Sequence, residues 1–488
     1  MNHYLLPDIS EPGKTGCSLP ALDVVPAESL PKELLREGFE LPEVSEVEVV
    51  RYFTALSRLN YGVDSGFYPL GSCTMKYNPK WHEDVAKLPG FALVHPLQPV
   101  ESVQGALQLM FELQEYLSEI TGMDSTSLVP MAGAQGEFAC LLMVKAFHQD
   151  RGNKSRNKIV IPDSSHGTNP ASAVMCGFEI VTVPSDKEGN IDFNMLEAVM
   201  NEEVAALTLT MPNTLGLFDP QITEISQLVH ERGGLLGADG ANLNALLGNV
   251  KYGDLGYDYV QLNLHKTFST PHGGGGPGAG PVCVKTHLTD FLPSPLITKD
   301  NGEYVFISPA NSIGKLCDFY GNFGVMVKAY AYLRFLGAEG LKEVSNNAVL
   351  NANYIKEKLK KYYHLPYDRK CMHEVVFSGK SQMANGVHTL DIAKRLMDFG
   401  FHPPTVYFPL NVQEAIMIEP TETESKETLD AYIQAMIDIA REAEDNPEIL
   451  HTSPHNTPVR RLDSVKAARQ PELRWSMDMS SKNREDIT

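Results

Sequence analysis

Lys266 is the residue on which chemistry in this chain turns. It follows the apolar run YVQLN (259–263) and Leu264–His265, and precedes the glycine block HGGGGPG (272–278). Asp239 closes an earlier apolar run, GLLGAD (234–239). A lysine after one strand and an aspartate after a preceding one suit pyridoxal phosphate (PLP). The amine condenses with the cofactor aldehyde, and the carboxylate keeps a proton on the pyridine nitrogen, which makes the ring an electron sink. A lone lysine is ordinarily a solvated surface residue. Here the glycines admit close approach of backbone to a ligand, and His265 adds an imidazole able to donate to a phosphate oxygen. Asp239 has a plain reading as a helix N-cap. Its functional reading is an ionised carboxylate at a strand end, facing the ligand crevice of an α/β sheet.

Other residues could complete such a site. In MAGAQGE (131–137), Gly133, Ala134 and Gln135 stand between a strand and a helix, where free backbone N–H groups cradle phosphate. No GK[ST] closes that loop and no GxGxxG opens a dinucleotide unit, so a nucleotide is not the expected ligand. His166, in PDSSHGTNPASA (162–173), is either structural or a flat ring stacked on the pyridine. Asn213 and Thr214, in MPNTLGLF (211–218), either cap a proline turn or hydrogen-bond the cofactor or substrate. Asn242 is within reach of the cofactor's phenolic oxygen in the same picture. YPLGSCTMKYNP (68–79) is either a loop of Asx and Ser/Thr turns or an arm segment that contacts the substrate carboxylate. Ser72 and Thr74 are its candidate contacts, with His272 beyond Lys266. Cys73 reads as a small apolar residue rather than a nucleophile.

Elements must hold these residues in place. Apolar positions recur at helical spacing from Val103 to Ile120. A run of alternating strands and helices follows. The expected strands are 128–133, 158–162, 178–184, 204–212, 234–239, 259–264 and 280–285. They are near-continuous apolar runs, which suits parallel strands covered on both faces. The fold class is therefore α/β with a mostly parallel central sheet. Four segments are expected: an N-terminal arm (1–95), with a helix near Glu46–Leu59; a large α/β domain (96–335); a smaller α+β domain (336–475); and a disordered polar tail (476–488).

The 488 residues are 43% hydrophobic and 21% charged, as in soluble globular proteins. A formal charge of -20 disfavours nucleic acid or an anionic membrane as partner. Seven cysteines without a CxxC pair read as reduced thiols, not a disulfide frame or a metal site. With no secretory signal and no spanning apolar stretch, a cytoplasmic location is the expectation.

These stretches, with HPLQP, ADGANLNAL and NLHKTFSTPHGGGGPGAGP, resemble the glycine decarboxylase P-protein of the glycine cleavage system. The resemblance continues through SIGKLCDFYGNFGVMVKAY, FHPPTVYFPL, EPTETESKETLD and TPVRRLDSVKAARQP, over nearly the whole chain. It implies the aspartate-aminotransferase type of PLP fold. It also implies a separate catalytic subunit 2, because the similarity is to the second half of the long single-chain form. Implied partners are a subunit 1 in a two-plus-two assembly and lipoylated H-protein. Carried over, Lys266 is the PLP lysine, Asp239 the pyridinium partner and His166 the stacking ring. The implied reaction is loss of CO2 from glycine and transfer of the aminomethyl group to the lipoyl arm. The GGGG segment after Lys266 either leaves room for that arm or serves close packing. Gln135 and Met211 depart from the family pattern, which commonly has histidine and asparagine there. Two other readings remain: a different PLP enzyme on the same fold, or a non-catalytic scaffolding subunit.

Overall fold

The computed structural model describes residues 5–25, 30–35, 41–273 and 278–473. The expected tail and most of the glycine run after His272 lie outside the described residues. The chain divides into two compact units, Met1–Gly62 with Pro454–Thr488, and Val63–Ser453. In the first, a helix spans Glu46–Ser57, near the expected position. Ser45 accepts from the Glu48 N–H, and the Glu48 carboxylate accepts from the Ser45 N–H, so two otherwise orphaned donors are satisfied reciprocally. Val47, Val50 and Phe53 of this helix are exposed.

In the second unit a seven-stranded sheet carries the site. Its strands are β1 (Ser125–Ser127), β2 (Lys158–Pro162), β3 (Glu179–Val183), β4 (Val204–Thr210), β5 (Leu235–Asp239), β6 (Tyr259–Gln261) and β7 (Val282–Val284). Their order is β1-β7-β6-β5-β4-β2-β3. The run from β3 to β6 is parallel, and β7 is antiparallel to both neighbours. Every residue of β4 and β5 is buried, because helices cover both faces. The helix Gly133–Asp150 packs on one side and Ile222–Glu231 contributes to the other.

The first expected strand, 128–133, is displaced. The pairing residues are Ser125–Ser127, and Leu128–Val129 are buried without laddering. Pro130 lacks the N–H a strand would use. The strand expected over 259–264 ends at Gln261, because the chain turns into the short helix Leu264–Thr267 that bears Lys266. A hairpin of β8 (Leu296–Asp300) and β9 (Glu303–Ile307) was not anticipated. Asn301 and Gly302 at its turn both have positive φ, 47° and 92°, which is the strongest local hairpin signal.

A second, antiparallel sheet has the order β10-β12-β11, with β10 (Val375–Ser378), β11 (Thr405–Val406) and β12 (Ala415–Ile418). It packs with the helix Lys426–Asp445 around its own core of Phe377, Ile416, Ile418, Tyr432 and Met436. The helix Phe323–Leu359 runs through position 335, with non-helical backbone at Gly337. The segment 63–95 belongs to this unit, and Phe67, Thr74, Lys76 and His82 within it are buried. All seven cysteines are free. No helix among the described residues is long and apolar enough to cross a membrane.

Candidate active site

The carboxyl ends of four adjacent strands bring the expected site residues together. His166 follows β2, Asn213 follows β4, Asp239 ends β5 and Lys266 follows β6. Ligands of open α/β sheets bind at such strand ends.

Asp239 is 3% exposed. Its Oδ1 accepts from Gln261 Nε2 at 2.7 Å and from the Ala241 N–H at 3.0 Å. Asn169 Nδ2 lies 3.4 Å from Oδ2. The N-cap reading holds, with Oδ1 accepting from Ala241 and Gln261, while Oδ2 keeps only a long contact. Gln261 is the register partner of Asp239 across β5 and β6. Asn169 also donates to Glu137 Oε2 at 2.8 Å, and Thr168 Oγ1 donates to Glu137 Oε1 at 2.8 Å. Burial, then the nearby Asp239 charge, pushes the Glu137 carboxyl up. His166 Nδ1 sits 2.9 Å from Thr168 Oγ1, and burial holds its imidazole below the ordinary range. Its ring meets Phe408 edge-on.

Lys266 Nζ donates to the Ser72 carbonyl at 2.9 Å. The Ser72 N–H donates to Glu374 Oε2 at 2.7 Å, and Ser72 has φ 63°. Ser72 therefore takes part through its backbone. Thr74 Oγ1 donates to Glu419 Oε1. His272 Nε2 is 3.5 Å from Cys73 Sγ, and its ring lies edge-on to His265 at 5.1 Å.

The glycine turn behaves as a cradle. The helix starts at Gly133, and its first intrahelical bond runs from Gly136 N–H to Ala132 O. The N–H groups of Gly133, Ala134 and Gln135 thus head the helix without an i−4 partner. Gln135 is occupied elsewhere: Oε1 accepts from Met131 N–H at 2.7 Å, and Nε2 donates to Leu316 O at 2.9 Å. A Cβ on Gly133 would stand 2.3 Å from Asn263 Nδ2, and one on Gly280 would stand 2.0 Å from Ala132 O. We expect Gly280→Ala to separate β7 from this helix end and to cost about 3 kcal/mol, read as a lowered denaturant midpoint. Buried polar atoms without a partner include Thr210 Oγ1, Asn263 Oδ1 and Thr270 Oγ1. The free helix N-terminus, the singly tied carboxylate and these orphans fit a ligand with a phosphate and a protonated ring, which is PLP.

Two expected contacts take other partners. Asn213 Nδ2 donates to Gly189 O at 2.7 Å, and its Oδ1 accepts from the N–H groups of Leu215 and Leu217. Asn242 Nδ2 donates to Pro212 O at 2.8 Å. Asn213 Oδ1 caps N–H groups within the turn after β4, its Nδ2 ties that turn to Gly189, and Asn242 satisfies the Pro212 carbonyl. In this arrangement both amides help shape the turn after β4, and their expected contact with the cofactor remains a proposal.

His265 and His272 are held neutral. Burial lowers His265 from an ordinary 6.5 to about 4 and His272 to about 3. The unfolded chain then binds more protons than the fold from pH 6.5 downward. Stability is full above 6.5 and is lost as pH falls through the folded values. We expect the thermal midpoint to drop across this window, and His272→Asn to make the drop shallower.

Residues not singled out in the sequence also line the site. Glu137, Asn169 and Gln261 surround Asp239. A polar residue inside the apolar run YVQ was the available signal for Gln261. His373, Glu374 and Glu419 form a buried group beside the Ser72–Thr74 segment. Burial pushes both carboxyls up and the His373 imidazole down. Lys76 is buried and meets Glu422 Oε1 at 2.7 Å, Asn244 Oδ1 at 3.0 Å and Tyr332 Oη at 3.1 Å.

The family model described as "Glycine cleavage system P-protein" matches residues 18–305, and "Glycine dehydrogenase, C-terminal domain" matches 344–459. The chain belongs to the glycine cleavage system P-protein family. Among its curated relatives is a probable glycine dehydrogenase (decarboxylating) subunit 2 of Caldanaerobacter subterraneus subsp. tengcongensis, 61% identical over 97% of this chain and 98% of the relative. Another of the same name, from Halalkalibacterium halodurans, is 58% identical over 96% and 98%. Among solved structures, an inhibitor-bound glycine decarboxylase (P-protein) aligns with TM-score 0.71 at 22% identity, covering 84% of this chain and 93% of that one. A cysteine desulfurase from Thermococcus onnurineus NA1 aligns with TM-score 0.59 at 16% identity, covering 78% and 95%. These two likenesses establish the shared fold, with its mostly parallel sheet.

Proposed function

We propose that this chain is the catalytic subunit 2 of a glycine dehydrogenase (decarboxylating), which removes CO2 from glycine and passes the aminomethyl group to the lipoyl arm of H-protein. The observation that carries this reading is Lys266 and Asp239 at the ends of neighbouring strands, in a chain of this family. PLP, when bound, supplies an electron sink for the pair left on the α-carbon as CO2 departs. Lys266 Nζ, oriented by the Ser72 carbonyl, is the amine that would hold the cofactor. Asp239, anchored by Gln261 and Ala241, is the carboxylate that would face the ring nitrogen and favour its protonated form. His166 offers its face to the ring. The N–H groups of Gly133, Ala134 and Gln135, with His265, receive the phosphate. Ser72, Thr74 and His272 line the side where the glycine carboxylate enters.

In this reading residues 96–335 form the large cofactor-binding domain, 336–475 a smaller α+β domain and 1–95 an N-terminal arm. A subunit 1 completes a two-plus-two assembly, and the complex works in the cytoplasm. The test is exchange of labelled CO2 into the glycine carboxyl by the co-expressed subunits. Exchange stimulated by lipoylated H-protein is the expected result. PLP uptake with no exchange would favour another reaction on the same fold, and failure to take up PLP would favour a scaffold.

A further inference from the structure

His373, Glu374 and Glu419 stand at the entry to β10 and the exit of β12, and all three are at most 1% exposed. One ligand atom from each lies within 4.8 Å of the others. His373 Nε2 is 4.0 Å from Glu374 Oε2 and 3.9 Å from Glu419 Oε1, and neither of its ring nitrogens has a hydrogen-bond partner. Glu374 Oε1 and Glu419 Oε2 are likewise without partners. Buried carboxylates are ordinarily paired or bound to a cation, because leaving them bare costs several kcal/mol. The remaining carboxylate oxygens are held in place: Glu374 Oε2 by the Ser72 N–H, and Glu419 Oε1 by Thr74 Oγ1. Outer contacts of this kind orient metal ligands.

We propose that His373, Glu374 and Glu419 bind one divalent first-row cation, of the zinc or manganese type. One imidazole nitrogen with two carboxylates is a donor set suited to either ion. Bonds of about 2.0–2.2 Å bring such donors together with only a small rotation of each side chain. Three protein ligands leave a further position for water. The ion would pin β10 and β12 to the Ser72–Thr74 segment, whose Ser72 carbonyl receives Lys266. Its role is to fix that segment, and its presence is readable without cofactor or substrate. Sequence spacing conceals it, since His373 and Glu374 are adjacent and Glu419 lies beyond two helices.

The test titrates ZnCl2 and, separately, MnCl2 into chelator-stripped full-length protein by calorimetry. Metal content by mass spectrometry and the thermal midpoint are read in parallel. About one equivalent per chain with a raised midpoint is expected. Glu374→Gln and Glu419→Gln should each weaken binding by about 100-fold or more. His373→Gln serves as a third variant, and circular dichroism confirms which of the three fold. Absence of saturable binding by wild type would overturn the proposal, as would equal binding by all folded variants. In the first case the two carboxyls share a proton; in the second the ion sits elsewhere.

Discussion

Lys266→Ala abolishes the visible absorbance of the PLP-loaded protein, and labelled CO2 exchange into glycine falls by about four orders of magnitude or more, the scale on which loss of a covalent catalyst acts. The basis is a comparison of two lysines near the pocket. Lys76 has three acceptors, Glu422, Asn244 and Tyr332, one for each of its N–H bonds. Its charge is neutralised in place, and moving it would leave the largely covered Glu422 carboxylate with only the Asn244 amide as partner. Lys266 Nζ meets the Ser72 carbonyl, a neutral acceptor that gives it up at little cost. The alanine variant should fold, because one hydrogen bond to a backbone oxygen contributes only about 1 kcal/mol. Measured exchange at the wild-type rate in that variant would remove Lys266 from its role.

The second large effect is expected at Asp239. Asp239→Ala removes the carboxylate that ends β5, next to the strand that leads to Lys266, and we expect a loss in rate of about 10²- to 10³-fold, by analogy with other preorganised charges. Cofactor affinity falls as well, since the cavity would strand Gln261 Nε2 and the Ala241 N–H. Asp239→Asn separates charge from shape. It retains the acceptor for Ala241 but cannot hold the ring nitrogen protonated. Cofactor retention with a comparable loss in rate is therefore the expected result for the asparagine variant. A wild-type rate in Asp239→Asn would show that the charge is not used.

Much of this was legible in the chain because the relevant residues stand at the ends of apolar runs. β2, β4, β5 and β6 are apolar runs that their composition marks, and His166, Asp239 and Lys266 stand at or within a few residues of the ends of β2, β5 and β6. The edge strand β1, Ser-Thr-Ser, has no such pattern, since it pairs on one side only, and the eye falls instead on the apolar Leu128–Val129 beside it. Asn213 and Asn242 carry the right donors for a cofactor. Which partner an amide takes depends on where Pro212 and Gly189 place their carbonyls, and spacing does not encode that. The contribution of Glu374 and Glu419 was hidden for a related reason. They reach the site across long sequence separations, through the Ser72–Thr74 segment, and only the folded chain brings them together.

The most direct test of the covalent assignment is borohydride reduction of the PLP-loaded protein followed by peptide mapping. The expected result is a single pyridoxyl-modified peptide, with the label on Lys266. Label on Lys76 or another lysine, or loaded protein that releases all of its cofactor after reduction, would contradict it.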